Sequence, residues 1–190
     1  MSTSYDKREL KLLIDGQLPF ERVQEIIKDP KDTDRFQKSM EVYEERVAFK
    51  ERILLPLTPC LFIVQDGTDY VVKCRCGHGF GDFRVNWKLH SLVYVRDTAE
   101  TLEQVYPGVQ VPDPDYCEIR EYYCPECAAL LEVESLPPGM PADFEFLPDL
   151  DTFYRKWLND PLPTKVEFVD KTSEVIRQWV SEITPARKGA

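Results

Sequence analysis

The chain carries the segment Cys74-Arg75-Cys76-Gly77-His78 and, further along, the segment Cys124-Pro125-Glu126-Cys127. A structural zinc ion takes four soft ligands at the corners of a tetrahedron, and proteins usually supply these ligands as two close pairs. Gly77 lets the backbone reverse after the first pair, and Pro125 stiffens the turn inside the second pair. Each pair also stands where a strand is predicted to end. The spacing therefore predicts a zinc-ribbon-like module, in which two hairpin tips hold one zinc ion through Cys74, Cys76, Cys124 and Cys127.

The first segment does not by itself decide whether its second metal ligand is Cys76 or His78. His78 could replace Cys76 if the turn presented its first and fifth residues to the metal. We favour Cys76 because the second cysteine of each pair directly follows its turn, and His78 would then donate toward a thiolate from outside. Buried free thiols and a redox dithiol are further alternatives, and the dithiol lacks a βαβ context.

Four thiolates around one zinc ion leave a negative charge that neighbouring cations would offset. Four basic residues lie near the first segment, although their ordinary interpretation is solvated surface: Lys73, Arg75, Arg84 and Lys88. The interval 77–123 is long for a minimal ribbon, and an inserted strand and helix between Leu92 and Tyr106 would account for its length.

Helices are predicted on both sides of this module, so the expected fold class is α+β. Apolar residues at helical spacing predict N-terminal helices that end near residues 15, 29 and 52. Strands are predicted at 61–64, 70–72, 92–95, 119–123 and 130–133, and a short helix at 98–106. A proline-rich irregular stretch at 107–148 precedes two C-terminal helices, 151–158 and 172–183. The expected regions are 1–53 (helical), 54–135 (zinc-ribbon-like β module with inserted helix) and 136–190 (wrapping loop and C-terminal helices).

The charge pattern limits the classes of partner. The chain of 190 residues has a net charge of −10, and residues 97–151 hold 14 acidic residues and one basic residue. Such a chain repels phosphate backbones and anionic membranes, so neither nucleic acid nor membrane is an expected partner. The acidic block is either a solvated face or a docking surface for a basic partner.

No apolar run is long enough to span a bilayer, and the polar N-terminus lacks the apolar stretch of a signal peptide. We therefore expect a cytoplasmic protein, where thiols stay reduced and cysteines favour metal binding. Only two histidines are present, and neither Cys60 nor Cys117 has a histidine nearby. No catalytic residue and no organic cofactor site is predicted.

These residues resemble the gamma subunit of acetone carboxylase over about residues 5–163. Two cysteine motifs carry the resemblance together with the segments around them: Leu54-Leu55-Pro56-Leu57, Leu61-Phe62-Ile63-Val64-Gln65, Asn86-Trp87-Lys88-Leu89, Val95-Arg96-Asp97-Thr98 and Ile119-Arg120-Glu121-Tyr122-Tyr123. Pro148-Asp149, Phe153-Tyr154 and Trp157-Leu158 extend it. Some relatives have a further cysteine where Gly81 stands here, which supports the four ligands named above.

The resemblance implies a cytoplasmic bacterial complex of alpha, beta and gamma subunits, with two copies of each. Such a complex carboxylates acetone with bicarbonate to acetoacetate and is driven by ATP. The large subunits are expected to hold ATP and manganese, and the gamma subunit carries zinc in a structural role. Residues 164–190 extend past the typical family end, and their helix could add contact to a large subunit.

Two other interpretations remain open. The chain could serve a carboxylase for another ketone, or it could be a stand-alone zinc-ribbon interaction protein. An independent zinc hydrolase would need an open coordination position, which four thiolates do not leave.

Overall fold

A computed structural model describes residues 4–29, 32–106 and 111–183, and this part of the chain is α+β as predicted. The N-terminal elements are α1 (Lys7–Ile14), α2 (Phe20–Lys28) and α3 (Arg35–Glu44). The strands are β1 (Arg52–Thr58), β2 (Leu61–Asp66), β3 (Asp69–Cys74), β4 (Gly79–Asp82), β5 (Leu92–Arg96), β6 (Glu118–Tyr123) and β7 (Leu130–Leu136). A 3-10 turn (Trp87–His90) and α4 (Ala99–Glu103) interrupt them, and α5 (Leu150–Thr152), a π-helical turn (Phe153–Trp157) and α6 (Thr172–Ile183) follow.

The three N-terminal helices pack in two groups. Helices α1 and α2 bury Leu10 and Ile26 against Tyr5. Helix α3 packs Met40 against β1 and β2, as its apolar spacing predicts. The prediction that α3 fades near residue 52 is wrong, because the helix ends at Glu44. The chain must turn there to enter β1, and the Glu44 carboxylate accepts a hydrogen bond of 3.2 Å from the Ile53 N–H.

The first sheet is antiparallel, in the order β1-β2-β3-β4. The Asp66-Gly67 turn joins β2 to β3, and Gly67 has the positive φ of +63° that such turns require. Strands β2 and β3 confirm the predicted pair. Strands β1 and β4 were not predicted, because Pro56 interrupts the strand pattern of the one and glycines dilute that of the other.

The second sheet is antiparallel, in the order β5-β6-β7. All three strands were predicted. The strand expected as an insertion, β5, joins this sheet as its edge strand. The helix predicted at 98–106 is shorter, since α4 spans Ala99–Glu103, and it buries Leu102.

One hydrophobic cluster joins the two sheets. It contains Leu54, Ile63, Phe80 and Trp87 from the first sheet and its following turn, and Tyr122 and Leu131 from the second sheet. The C-terminal part closes the cluster with Leu150, Tyr154 and Leu162, and the Tyr154 hydroxyl donates a hydrogen bond of 2.8 Å to the Leu54 carbonyl. The two sheets are thereby held together from inside, which sets where their hairpin tips lie.

Helix α6 has the predicted bounds, and its Trp179 packs edge-on against His90 at 5.4 Å. The remaining apolar side chains of α6 are largely exposed. Within the described residues, no helix combines the length and the apolar character that crossing a membrane needs. The division of the chain at residues 53 and 135 stays a prediction.

Candidate metal centre

The first cysteine pair lies in the turn between β3 and β4. Cys74 is the last residue of β3, and the Gly77 N–H donates to the Cys74 carbonyl at 2.8 Å. Gly77 has a φ of +97°, a conformation that side-chain-bearing residues rarely adopt. The Cys74 N–H closes the turn by donating to the His78 carbonyl at 2.9 Å. This tight reversal directs the sulfurs of Cys74 and Cys76 toward one point.

The second pair lies in the turn between β6 and β7. The Ala128 N–H donates to the Cys124 carbonyl at 2.9 Å, and the Cys124 N–H donates to the Ala129 carbonyl at 3.0 Å. Ala128 has a φ of +54°, which is strained for an alanine. The turn therefore resembles the first one, since in each a residue with positive φ directly follows the second cysteine.

The two turns meet, and all four cysteine sulfurs lie within 4.8 Å of one another. Cys74 Sγ is 3.7 Å from Cys127 Sγ, and Cys76 Sγ is 3.7 Å from Cys124 Sγ. A zinc ion bound to four sulfurs at about 2.3 Å with tetrahedral angles would separate them by about 3.8 Å. The four residues selected from the sequence are thus brought together at a spacing that fits zinc.

The thiols have unlike surroundings. Burial raises the pKa of Cys74 and of Cys76, whereas the backbone N–H of Ala129 lowers the pKa of Cys127. Cys74 and Cys124 are completely buried, and Cys127 is exposed. Zinc binds the deprotonated form, so the ion's own positive charge is what would keep the buried sulfurs ionised.

The ring of His78 does not join the four sulfurs. It packs edge-on against Phe80, with ring centroids 5.0 Å apart. Among the described residues, the group of converging ligand atoms at these turns is made of the four cysteines and does not include His78. His78 therefore lies beside the turn, where its ring packs against Phe80 of the hydrophobic cluster.

Three of the four bases expected around the metal are paired with carboxylates. Lys73 forms ion pairs with Glu51 and Asp66, and Arg84 with Asp82. Arg75 is exposed. The interpretation as solvated surface is wrong for Lys88, whose side chain is only 2% exposed.

Lys88 is the centre of a buried ionic cluster that sequence reasoning missed. Its Nζ lies 2.6 Å from Glu132, bonds to Glu134, and lies 3.7 Å from Glu145. The Tyr122 hydroxyl donates to Glu134 at 2.6 Å. The three carboxylates converge as metal ligands would, but the lysine ammonium stands among them. The sequence feature that could have indicated this cluster is the placement of Glu132 and Glu134 two residues apart on a half-buried strand.

The chain matches the family model described as acetone carboxylase gamma subunit over residues 47–158, a range that includes all four cysteines. This chain belongs to that family. The family's acetone carboxylase gamma subunit of Xanthobacter autotrophicus strain Py2 is 39% identical over 166 residues, which cover 86% of this chain and 99% of the relative. The acetophenone carboxylase beta subunit of Aromatoleum aromaticum is 31% identical over 110 residues, which cover 57% of this chain and 78% of the relative.

Family membership confirms the resemblance drawn from the motifs. Both relatives are named as subunits of ketone carboxylases, so this gamma-family chain is related to components of multi-subunit enzymes. The relation extends beyond the cysteine turns into the helices on both sides, since it covers most of the chain.

Proposed function

We propose that this chain is the zinc-binding, non-catalytic gamma subunit of an acetone carboxylase. The observation that carries the proposal is the meeting of four cysteine sulfurs at two hairpin tips, inside the segment that matches the gamma-subunit family. The complex would carboxylate acetone with bicarbonate to acetoacetate at the expense of ATP.

The zinc would be structural, with Cys74, Cys76, Cys124 and Cys127 as its ligands. Four thiolates fill a tetrahedron and leave no position for water or substrate, so the ion would not activate a nucleophile. Its effect would be mechanical, because it ties a hairpin of the first sheet to a hairpin of the second. The two turns would then hold their neighbouring surfaces in one fixed arrangement.

The catalytic parts would lie on larger partner subunits. We assign ATP and manganese to alpha and beta subunits, in a cytoplasmic assembly with two copies of each of the three chains. The names of the relatives as gamma and beta subunits support an assembly of several chains. The acidic block at residues 97–151 argues against nucleic acid as the partner.

A second candidate is the same structural role in a carboxylase for another ketone. The similarity to an acetophenone carboxylase subunit favours this alternative. Since the small subunit would not contact substrate, its own residues do not decide between the two ketones. Rates measured with acetone and acetophenone on the purified complex would decide.

Co-purification with metal analysis tests the proposal. The tagged chain, expressed with its large subunits, should recover both at equal stoichiometry and contain one zinc ion per copy. Cys124→Ser should lose the zinc and most of the complex together, because three thiolates bind zinc less tightly and the second turn is released.

Cys76→Ser and His78→Ala form a matched pair that identifies the fourth ligand. Cys76→Ser should lose zinc, whereas His78→Ala should keep it. The opposite result would assign the metal to His78. Recovery of the unmodified chain as a lone, metal-free monomer would refute the proposed function.

A further inference from the structure

Strand β5 is an apolar edge strand that the described part of the chain leaves uncovered. Its residues Leu92, Val93, Tyr94 and Val95 are 55, 46, 44 and 38% exposed. Successive strand residues point to opposite faces, so β5 is open on both faces of the sheet. Among the described residues β5 pairs with β6 alone, which leaves the backbone N–H and C=O groups of its other edge available. Natural proteins seldom leave such an edge unprotected.

The exposed surface continues from β5 across the sheet. The register pairs Leu92 with Tyr123, and Tyr123 with Leu130. It also aligns Tyr94 with Val133 across Glu121, whose carboxylate forms an ion pair with Arg96. Aligned residues share a face, so four exposed apolar side chains lie on one face of the sheet, around the Arg96–Glu121 ion pair. We call it the β5 patch: Leu92, Tyr94, Leu130 and Val133. It adjoins the second cysteine turn, since Tyr123 precedes Cys124 and Leu130 begins the next strand.

The charges beside this patch identify the kind of partner. Glu100 and Glu103 are exposed on α4, which directly follows β5, and the salt bridges found among the described residues include neither of them. They belong to the block of 14 acidic residues and one basic residue at 97–151. A second copy of this chain, paired edge to edge, would bring two such blocks together and be repelled. A basic segment of a different protein complements them.

We propose that β5 is a docking strand, to which an extended, basic segment of a large carboxylase subunit adds as a further strand while covering the β5 patch. The inference rests on the proposed function, because it takes the partner from the carboxylase complex. Strand addition satisfies the open backbone edge, and the apolar side chains supply the contact area. The zinc ion would act here by fixing the turn from which Leu130 and β7 start.

Hydrogen exchange and a pair of double variants test this docking. The full chain with its large subunits is compared with the full chain alone. The amides of residues 92–96 should be protected in the complex and exchange faster without it. Leu92→Lys/Tyr94→Lys should weaken association with the large subunits by about tenfold or more, because both side chains would lie at the centre of the contact.

The matched control is Phe20→Lys/Ile27→Lys on α2, which changes two side chains that are 70 and 76% exposed and belong to other surfaces. This control should associate like the unmodified chain, and both variants should keep their zinc and helical circular dichroism. The inference requires protection and weakened association together.

Other outcomes separate the inference from the proposed function. Association without protection of residues 92–96, or unchanged association of Leu92→Lys/Tyr94→Lys, would overturn the docking strand and leave the proposed function standing. Sedimentation of the isolated chain as a dimer that this variant dissolves would assign the edge to a second copy instead. Failure of the unmodified chain to associate would refute both.

Discussion

Lys88 shows how one buried residue can join distant parts of this chain. It leaves the 3-10 turn after β4 and reaches carboxylates on β7 and on the loop before α5. Burial alone would lower the pKa of Lys88, but hydrogen bonds and attraction from Glu132 and Glu134 outweigh it and raise the pKa. Its ammonium also lies 5.2 Å from the centre of the Tyr122 ring. Lys88 therefore connects the turn that follows the first sheet to β7 of the second sheet through ion pairs.

We expect Lys88→Met to lower the free energy of unfolding by about 3 to 5 kcal/mol, because Glu134 would be left buried without its cation. Chemical denaturation measures this loss. Lys73→Met is the matched control on an ion pair that is nearer the surface, and it should cost less, about 1 kcal/mol. Equal losses in both variants would mean that the burial of Lys88 has no special weight.

The same residue marks the limit of sequence reasoning at this scale. The four converging cysteines could be found because a structural metal site needs two close pairs of ligands, and that need leaves a pattern in the chain. Lys88 lies 46 residues from Glu134, and nothing local distinguishes it from a surface lysine. Its partners are determined by how the two sheets pack, and the spacing of residues along the sequence does not reveal that packing.

At the scale of elements, the sequence predicted those strands whose residues alternate between polar and apolar or form an unbroken apolar run, such as β2 and β6. Strand β1 was not predicted because it contains Pro56, and because two irregularities in its pairing with β2 break the alternation of inward and outward side chains. Helix α3 ends earlier than its spacing predicts, and the carboxylate of its last residue, Glu44, accepts a hydrogen bond from the Ile53 N–H of β1. Edge strand β5 is apolar like a core strand, so its exposure could not be read from composition.

An ion pair holds β5 to its neighbour and gives a pH prediction. Arg96 Nε donates to Glu121 at 2.7 Å, and the Tyr123 hydroxyl donates to the same carboxylate at 2.6 Å. The Arg96 hydrogen bond, then that of Tyr123, lowers the pKa of Glu121 below its ordinary value of 4.5. A lowered folded-state pKa stabilises the fold above the unfolded-state pKa, and this stabilisation is lost as the pH falls through the folded-state pKa.

We therefore expect Glu121→Gln to be less stable than the unmodified chain at pH 7 by about 1 to 2 kcal/mol. The difference should stay constant down to about pH 5 and shrink below it, as Glu121 becomes protonated in the unmodified chain. Denaturation at a series of pH values measures the difference, and a metal chelator in both samples keeps any metal binding out of the comparison. A difference that grew toward acid pH would contradict the lowered pKa.

At the scale of the whole molecule, the cysteine cluster and the hydrophobic core are continuous with one another. The hydrophobic cluster packs the two sheets together and includes Cys74 and Cys124, and the two cysteine turns meet beside it. The sequence could locate the cysteine turns and much of the core but not the β5 patch, because that patch exists only when β5, β6 and β7 pair in register. The exposed carboxylates of Glu100 and Glu103 give the surface beside β5 a negative charge.

That charge leads to a prediction about assembly. Association with the large subunits should slow several-fold as ionic strength rises from low to physiological salt, because an acidic face steers a basic partner over a distance that salt screens. Glu100→Gln/Glu103→Gln should flatten this salt dependence. Glu21→Gln/Asp69→Asn removes the same charge from exposed positions outside the acidic block and should leave the dependence unchanged. Equal effects of the two double variants would mean that net charge, rather than the face beside β5, governs the encounter.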